Sequence, residues 1–275
     1  WIDRHPVTET TRGKYRHTSG KWVKTTFAGR SLAQVASDRD RVIDLLVEDM
    51  GHLSITQRRQ ARTIVIGTIE EAVNSGKLAK HNLHKIEIAD NGPAKERADF
   101  VFPSHEQVSA VADVVGLAVW LMRGCGLRIE EALAVHKDEF LSPRTLRLTG
   151  QASRDGRKKM PLKHRKAGEY RDCPVPGWLW DKVKDLPDGP LIPGNNDRPY
   201  QIYSTVHAAF KSAAKDAGIA PGFRPHSLRH AFASTLLSRG VPITDVARWL
   251  GHRDINETYR TYSHFMPEAE DRAVS

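Results

Sequence analysis

The chain has 275 residues, 39% hydrophobic and 27% charged, with a formal net charge of +9 and a pI near 9.6. These totals describe a soluble globular chain of one large or two ordinary domains, and no apolar run is long enough to span a bilayer. The opening WIDRHPVTETTRGKYRH, which starts on Trp1 and so points to residues upstream, lacks the apolar stretch of an export signal; the two distant cysteines, Cys125 and Cys173, exclude a disulfide framework and cysteine-based zinc spacings and fit a reducing cytoplasm.

In chain order, the first ninety or so residues read as helical. TETTRGKYRHTSGKWVKTT is a polar, basic helix. SDRDRVIDLLVEDM opens on a Ser/Asp cap and carries Val42, Leu45, Leu46 and Met50 at helical spacing. LSITQRRQARTIVIGTIEEAVNSGK is the clearest helix, capped by Ser54 or Thr56 and closed by Gly76. Ile64, Val65, Ile69, Ala72 and Val73 form its apolar stripe. Arg58 and Arg62 share another face, either an ordinary solvated one or one offered to a polyanion. EIADNGPAKERADFVFPSHEQV then breaks the pattern. Residues 92–104 read as an interdomain linker between a helical domain, 1–91, and a second domain, 105–275.

The second domain is mixed. SHEQVSAVADVVGLAVWLMRGCG reads as one helix and IEEALAVHKDEF as another, while TLRLT alternates as a strand does. KMPLKH and YRDCPV are strand candidates joined as a hairpin by the turn RKAGE, with Gly168 at the bend. GWLWDKVKDL, YSTVHAAFKSAAKDAG, SLRHAFASTLLSRG and ITDVARWLGH return to helix. The expected fold class is therefore mainly α with a small β-sheet (α+β). From Gln151 to Asp172 there are eight Lys/Arg against three Asp/Glu, so more than half of the chain's positive surplus lies in this stretch. Lys158, Lys159, Lys163 and Arg165 belong to that cluster, which suits a run of phosphates; simple solubility is the plainer reading of the charge.

Several side chains there can carry chemistry. In RPHSLRHAFASTLL, His226 and Arg229 lie three apart, on one face of a helix starting near Pro225. Arg presents a fork of donors to phosphate oxygens, and His exchanges a proton near neutral pH. His230, four residues after His226, raises a metal site, but HSLRH lacks the Glu of HExxH and no acidic cluster accompanies it. RGCGLRIEEALAV places Arg128 after a Gly-containing turn with Glu131 three residues on, and LGHRD places His252 after a helix-ending Leu-Gly. TYRTYSH holds two tyrosines, Tyr259 and Tyr262, one helical turn apart; periodicity does not separate them.

The set GLRxxE, HxxR, LGH and a terminal Tyr-x-His, from about Glu106 to Met266, resembles the tyrosine recombinases of the phage integrase family. The helical first part is similar to that family's core-binding domain. The resemblance implies a fold of helical core-binding domain plus mixed catalytic domain, closing as a clamp on duplex DNA. It carries over the first catalytic arginine to Arg128 and its acidic support to Glu131. The HxxR pair becomes His226 and Arg229, and the second histidine His252. The hairpin lysine is best matched by Lys166, eight residues before Pro174, with Lys163 as rival and Lys158 and Lys159 as remoter ones. Tyr262, followed by Ser263-His264 and ten residues after His252, matches the nucleophile, leaving Tyr259 as a packing neighbour.

The implied chemistry is attack of the tyrosine on a DNA phosphate, giving a 3′-phosphotyrosine link and a free 5′ hydroxyl. The two arginines would hold the phosphate, Lys166 protonate the departing hydroxyl, His226 serve as base or relay towards the tyrosine and His252 bond the phosphate. No metal, ATP or other cofactor is required. The implied partners are double-stranded recombination sites of a mobile element, further copies in a homo-tetramer of paired dimers on DNA, and accessory DNA-bending or directionality proteins, on the nucleoid in the cytoplasm of a bacterial host. Two departures from larger integrases stand out: no arm-site domain precedes Trp1, and the tail after Tyr262 is short, with Pro267-EAEDRA as a helix start. A type IB topoisomerase shares the chemistry, and a catalytically silent DNA-binding module shares the fold.

Overall fold

The computed structural model describes residues 1–89, 100–195 and 197–266. The chain divides into two compact units, Trp1–Ala98 and Asp99–Ser275. Most of the expected linker, residues 92–99, lies outside the described residues, as does the expected helix start at Pro267.

The first unit is helical. α1 (Glu9–Thr18) is capped by the Thr8 side chain and runs through a π-turn, Ser19–Val23, into α2 (Lys24–Thr26). α3 (Leu32–Ser37) opens on a Ser31–Gln34 capping box. Asp38 caps α4 (Arg39–Asp44), which continues as a π-turn, Leu45–Asp49. α5 (Ile55–Asn74) is capped by Ser54 rather than Thr56, and Gly76 leaves it at φ +73°. Val42, Leu45, Leu46, Met50, Val65 and Ile69 are buried together, as their spacing predicts.

In this unit the structure corrects the reading of two residues. Arg58 is buried, and its Nε donates to the Leu46 carbonyl at 2.6 Å. Arg62 donates to the carbonyl of Ile86. Both guanidiniums tie neighbouring segments to α5, because a buried carbonyl needs a donor. Neither is the free surface cation that a DNA contact calls for.

In the second unit, residues 100–103, outside any helix or strand, lead to the Ser104 cap of α6 (His105–Val115). Gly116, at φ +82° and ψ −158°, separates α6 from α7 (Leu117–Cys125), so the expected single helix is two. α8 (Ile129–Ala132) is one turn long, not the longer helix expected. The chain beyond it is diverted by backbone pairing: Leu191 N donates to Val135 O and Lys137 N to Gly189 O, both at 2.9 Å.

A three-stranded antiparallel sheet follows, in the order β1-β2-β5: β1 (Phe140–Ser142), β2 (Thr145–Leu148) and β5 (Arg171–Pro174). Between them β3 (Gln151–Ala152) and β4 (Lys159–Met160) form a separate small hairpin. The expected pairing of KMPLKH with YRDCPV is thus incorrect. β5 joins β2, with Leu146 opposite Cys173 and Leu148 opposite Arg171. That register buries all four side chains on one face, the arrangement that alternating burial selects. The sheet leads into α9 (Gly177–Val183), α10 (Tyr203–Asp216), α11 (Pro225–Ser238), α12 (Ile243–Leu250) and α13 (Ile255–Tyr262). α7 is central: it packs against α6, α8, α9 and α11, and Val119, Leu121, Met122 and Cys125 are fully buried. The architecture is α+β with helices dominant.

Candidate active site

The site is assembled from the turns after α7 and α12, the start of β5, and the helices α11 and α13. α7 ends on Gly126 at φ +67°, where a Cβ would stand 2.4 Å from the Phe232 ring. Only glycine fits both the left-handed backbone and that contact. The turn delivers Arg128 as the first residue of a capping box. The Glu131 carboxylate accepts from the Arg128 backbone N–H at 2.7 Å and from its guanidinium at 2.9 Å.

Glu131 is fully buried, and a second arginine makes that possible. Arg171, the first residue of β5, places two guanidinium nitrogens on the two carboxylate oxygens at 2.8 and 2.6 Å. Burial pushes the Glu131 carboxyl up, but the charge and hydrogen bonds of Arg171, then the charge of Arg128, outweigh it and hold it below the usual carboxylate range. Arg171 also donates from Nε to the Trp249 carbonyl at 2.9 Å. The turn after α12 follows at once: Gly251, at φ +68°, where a Cβ would lie 3.0 Å from the Arg171 side chain. One arginine therefore braces both the Arg128 turn and the turn that carries His252.

Arg229 joins the same turns from α11. It is 0% exposed, donating to Gly126 O at 2.7 Å and to Leu250 O at 2.6 Å. Its Nε is buried without a partner. Burial, then Arg128, lowers its pKa to about 9, which leaves it charged at neutral pH. His226 follows Pro225 in the first turn of the helix that carries Arg229. Loss of solvent around the ring, followed by repulsion from His230, Arg229 and Arg128, lowers its pKa to about 3 although the residue is open on its outer side. His252 bonds through Nδ1 to the buried Thr258 hydroxyl at 2.7 Å, and its pKa also falls to about 3, from burial and then Arg229. Burial is the largest cause of these shifts; the positive charge of the neighbouring arginines adds to it, and only that part favours an anion at the site.

The two tyrosines separate on burial, against the expected pattern. Tyr259 is 57% exposed and does not pack in the core. Tyr262 is 1% exposed, its hydroxyl 2.5 Å from Nδ1 of His230, and burial pushes its pKa up to about 12. α13 turns one face inward, Thr258 and Tyr262 four residues apart, and Tyr259 lies off that face.

The basic residues are less gathered. Lys166 is exposed, on the loop before β5 rather than at a hairpin turn, and its ammonium makes no hydrogen bond or ion pair among the described residues. Lys158 and Lys163 are exposed. Lys159 is paired with Glu139 at 2.8 Å, and Arg165 donates to Tyr170 O at 2.9 Å, so both hold local structure. Arg171 and His230 are the site residues that sequence patterns miss. Arg171 is one cation among eight, with no local mark of its partner; His230 is marked by its spacing from His226, but not by chemistry. Among the described residues no group of three or more His, Cys, Asp or Glu is placed to hold a metal ion, and no helix is long and apolar enough to cross a membrane.

Residues 104–268 match the family model described as the Phage integrase family. The tyrosine recombinase XerC of Brucella suis biovar 1 is 32% identical over 143 residues, 50% of this chain and 42% of that protein. The integrase of Escherichia phage 186 is 33% identical over 118 residues, 42% of this chain and 32% of that one. The chain thus spans less than half the length of these relatives. In fold, the Tn1549 transposon integrase in complex with a circular intermediate DNA is similar at a TM-score of 0.70, with 15% identity over 99% of this chain and 94% of that one. The XerH site-specific recombinase bound to a palindromic difH substrate is similar at 0.65, with 16% identity over 97% and 79%. With the family model covering more than half its length, this chain belongs to the phage integrase family of tyrosine recombinases.

Proposed function

We propose that the protein is a site-specific DNA recombinase that cuts and rejoins strands of a mobile element through a 3′-phosphotyrosyl intermediate, working as a tetramer on paired duplex sites. The observation that carries this reading is Arg229. It draws the turns of Arg128 and His252 onto the helix of His226, and one of its buried donors remains unpaired. A buried donor without a partner calls for an explanation, and an incoming phosphate oxygen supplies one.

In this mechanism Arg128 and Arg229 bind the non-bridging oxygens and offset the charge that builds up as phosphorus becomes five-coordinate. His226 and His252 donate hydrogen bonds to the same phosphate. Tyr262 attacks, and the bond to the 5′ oxygen breaks. Lys166, on the loop ahead of β5, protonates that oxygen once the loop meets DNA. The arginines supply permanent positive charge where a metal would otherwise be needed, so the scheme runs without metal or ATP. Residues 1–91 are the core-binding domain in this reading, and Lys158 and Lys163 add backbone contacts.

The test uses a library of nicked duplexes of randomised sequence, in which the fragment beyond the cut diffuses away and traps the protein on DNA. The adduct is mapped by mass spectrometry. The expected product is a DNA-linked Tyr262 peptide, lost in Tyr262→Phe and kept in Tyr259→Phe, and unaffected by EDTA. An adduct that survives Tyr262→Phe would remove Tyr262 from the role. Relaxation of a plasmid that bears no recovered site would favour the topoisomerase reading.

A further inference from the structure

The Tyr262 hydroxyl has a hydrogen-bond partner in this structure, and it is not His226. Nδ1 of His230 lies 2.5 Å away, whereas His226 makes no hydrogen bond to Tyr262 among the described residues. The two histidines sit four residues apart on α11 with their rings edge-on, centroids 4.7 Å apart. Phe100, at the start of the second unit, covers the pair from the other side, 4.5 Å from the His230 ring and 5.9 Å from the Tyr262 ring. We infer that His230 is the general base of the cleavage step, taking the phenolic proton of Tyr262 onto Nδ1, while His226 stays on the phosphate. This rests on the strand-cleavage reading above.

The environment fits that division. Among the described residues, the titratable and charged groups around the His230–Tyr262 pair are Tyr262 itself and Glu257 from α13 and His226 and Arg229 from α11; Phe100 brings no charge, and His264 lies beyond it, 6.3 Å from the Phe100 ring. Burial, then Arg229, lowers the His230 pKa to about 4, so the ring is neutral near neutral pH; the general-base role uses the tautomer with its hydrogen on Nε2, in which Nδ1 accepts from the Tyr262 hydroxyl. With Tyr262 pushed up to about 12, the proton rests on the phenol before DNA binds. As the phenolic oxygen bonds to phosphorus its basicity collapses, and transfer to even a weak base becomes downhill. The step balances: the Tyr262 oxygen–phosphorus bond forms, the phosphorus–5′ oxygen bond breaks, the phenolic proton goes to His230, and the departing oxygen receives one from Lys166. A covered pair such as this one also keeps bulk water from taking the base's place.

The experiment measures single-turnover adduct formation from pH 6 to 8 on the nicked duplex recovered from the library, at saturating protein. Wild type is expected to show a nearly flat profile, because His230 is already neutral throughout that range. His230→Ala is expected to be slowed about 10²–10³-fold at pH 7, with a rate that climbs roughly tenfold per pH unit as reaction falls to the small phenoxide fraction. His230→Asn places an amide oxygen where Nδ1 stood; it can seat the phenol but cannot take the proton, so it should behave like Ala. It also stands in for Ala if that variant fails to fold, as judged by DNA binding in a gel shift. Recovery of the wild-type rate in His230→Asn would reduce His230 to a seat, and a sloping profile in His226→Asn with flat His230 variants would return the role to His226. Absence of any Tyr262 adduct in wild type would sink the underlying reading instead.

Discussion

In the first unit Arg58 donates to Leu46 O and Arg39 to Asn82 O and His84 O. In the second, Arg229 donates in the same manner to Gly126 O and Leu250 O. All serve to pin chain segments through their carbonyls. The difference lies in what remains. Arg229 keeps a buried Nε with no partner, and Arg128, 17% exposed, has a guanidinium only partly engaged by Glu131. Arg198, outside the site, also has a buried Nε without a partner, so the spare donor marks Arg229 as a site residue only together with Arg128 and His252 beside it.

The comparison is most sharply tested by Arg229→Lys, which keeps the charge but cannot span two carbonyls and a phosphate. Adduct formation should fall about 10³-fold while duplex binding changes only a few-fold. Near-normal cleavage would mean that a point charge suffices. Next in size is Glu131→Gln. It leaves Arg171 buried without a counter-charge, at a cost of roughly 3–5 kcal/mol in urea unfolding, and adding Arg171→Met should recover part of that loss. An unchanged unfolding midpoint in the single variant would dismiss the brace.

Acid should act on the second unit through its buried histidines. His230 and His252 have folded pKa values lowered to about 4 and about 3, so below pH 6.5 the unfolded chain binds protons that the folded one refuses. Their contribution to stability is therefore full above about pH 6.5 and declines as pH falls, by up to about 1.4 kcal/mol per pH unit for each. Urea midpoints at pH 7 and pH 5 check the sign, and His252→Asn should flatten the difference. The smallest effects separate the two kinds of cation outside the site. Arg58→Met should cost about 1–3 kcal/mol of stability and leave the salt dependence of DNA binding unchanged. Lys158→Ala should leave stability alone, weaken binding a few-fold and reduce the salt slope by about 1. A reduced salt slope in Arg58→Met would place that guanidinium on DNA after all.

Much of the fold was legible because its cues are local. Ser54, Asp38 and Ser104 cap the helices that their spacing announces, and Val42, Leu45, Leu46 and Met50 are buried as one stripe. The errors fell where distant segments compete for backbone bonds. β5 pairs with β2 across an inserted hairpin, so RKAGE reads as a hairpin turn although the strands beside it have other partners. The longer helix expected after Arg128 gives way because residues 135–137 pair with a segment more than fifty positions on.

The chemistry on offer is written in the chain itself: which residues stand in GLRIEE, HSLRH, LGH and TYSH, and in what order. So are the helical periods that bring His226, Arg229 and His230 to one side of α11. How those residues are used depends on packing between distant segments. That packing buried Tyr262 and exposed Tyr259, chose His230 as the phenol's partner, and joined Arg171 to Glu131 across forty residues. It also turned Arg58 and Arg62 inward. The physical reason is the same in each case. Periodicity fixes which side chains share a face, but desolvation and the pairing of buried donors with acceptors depend on what packs against that face, and those partners are distant in the chain.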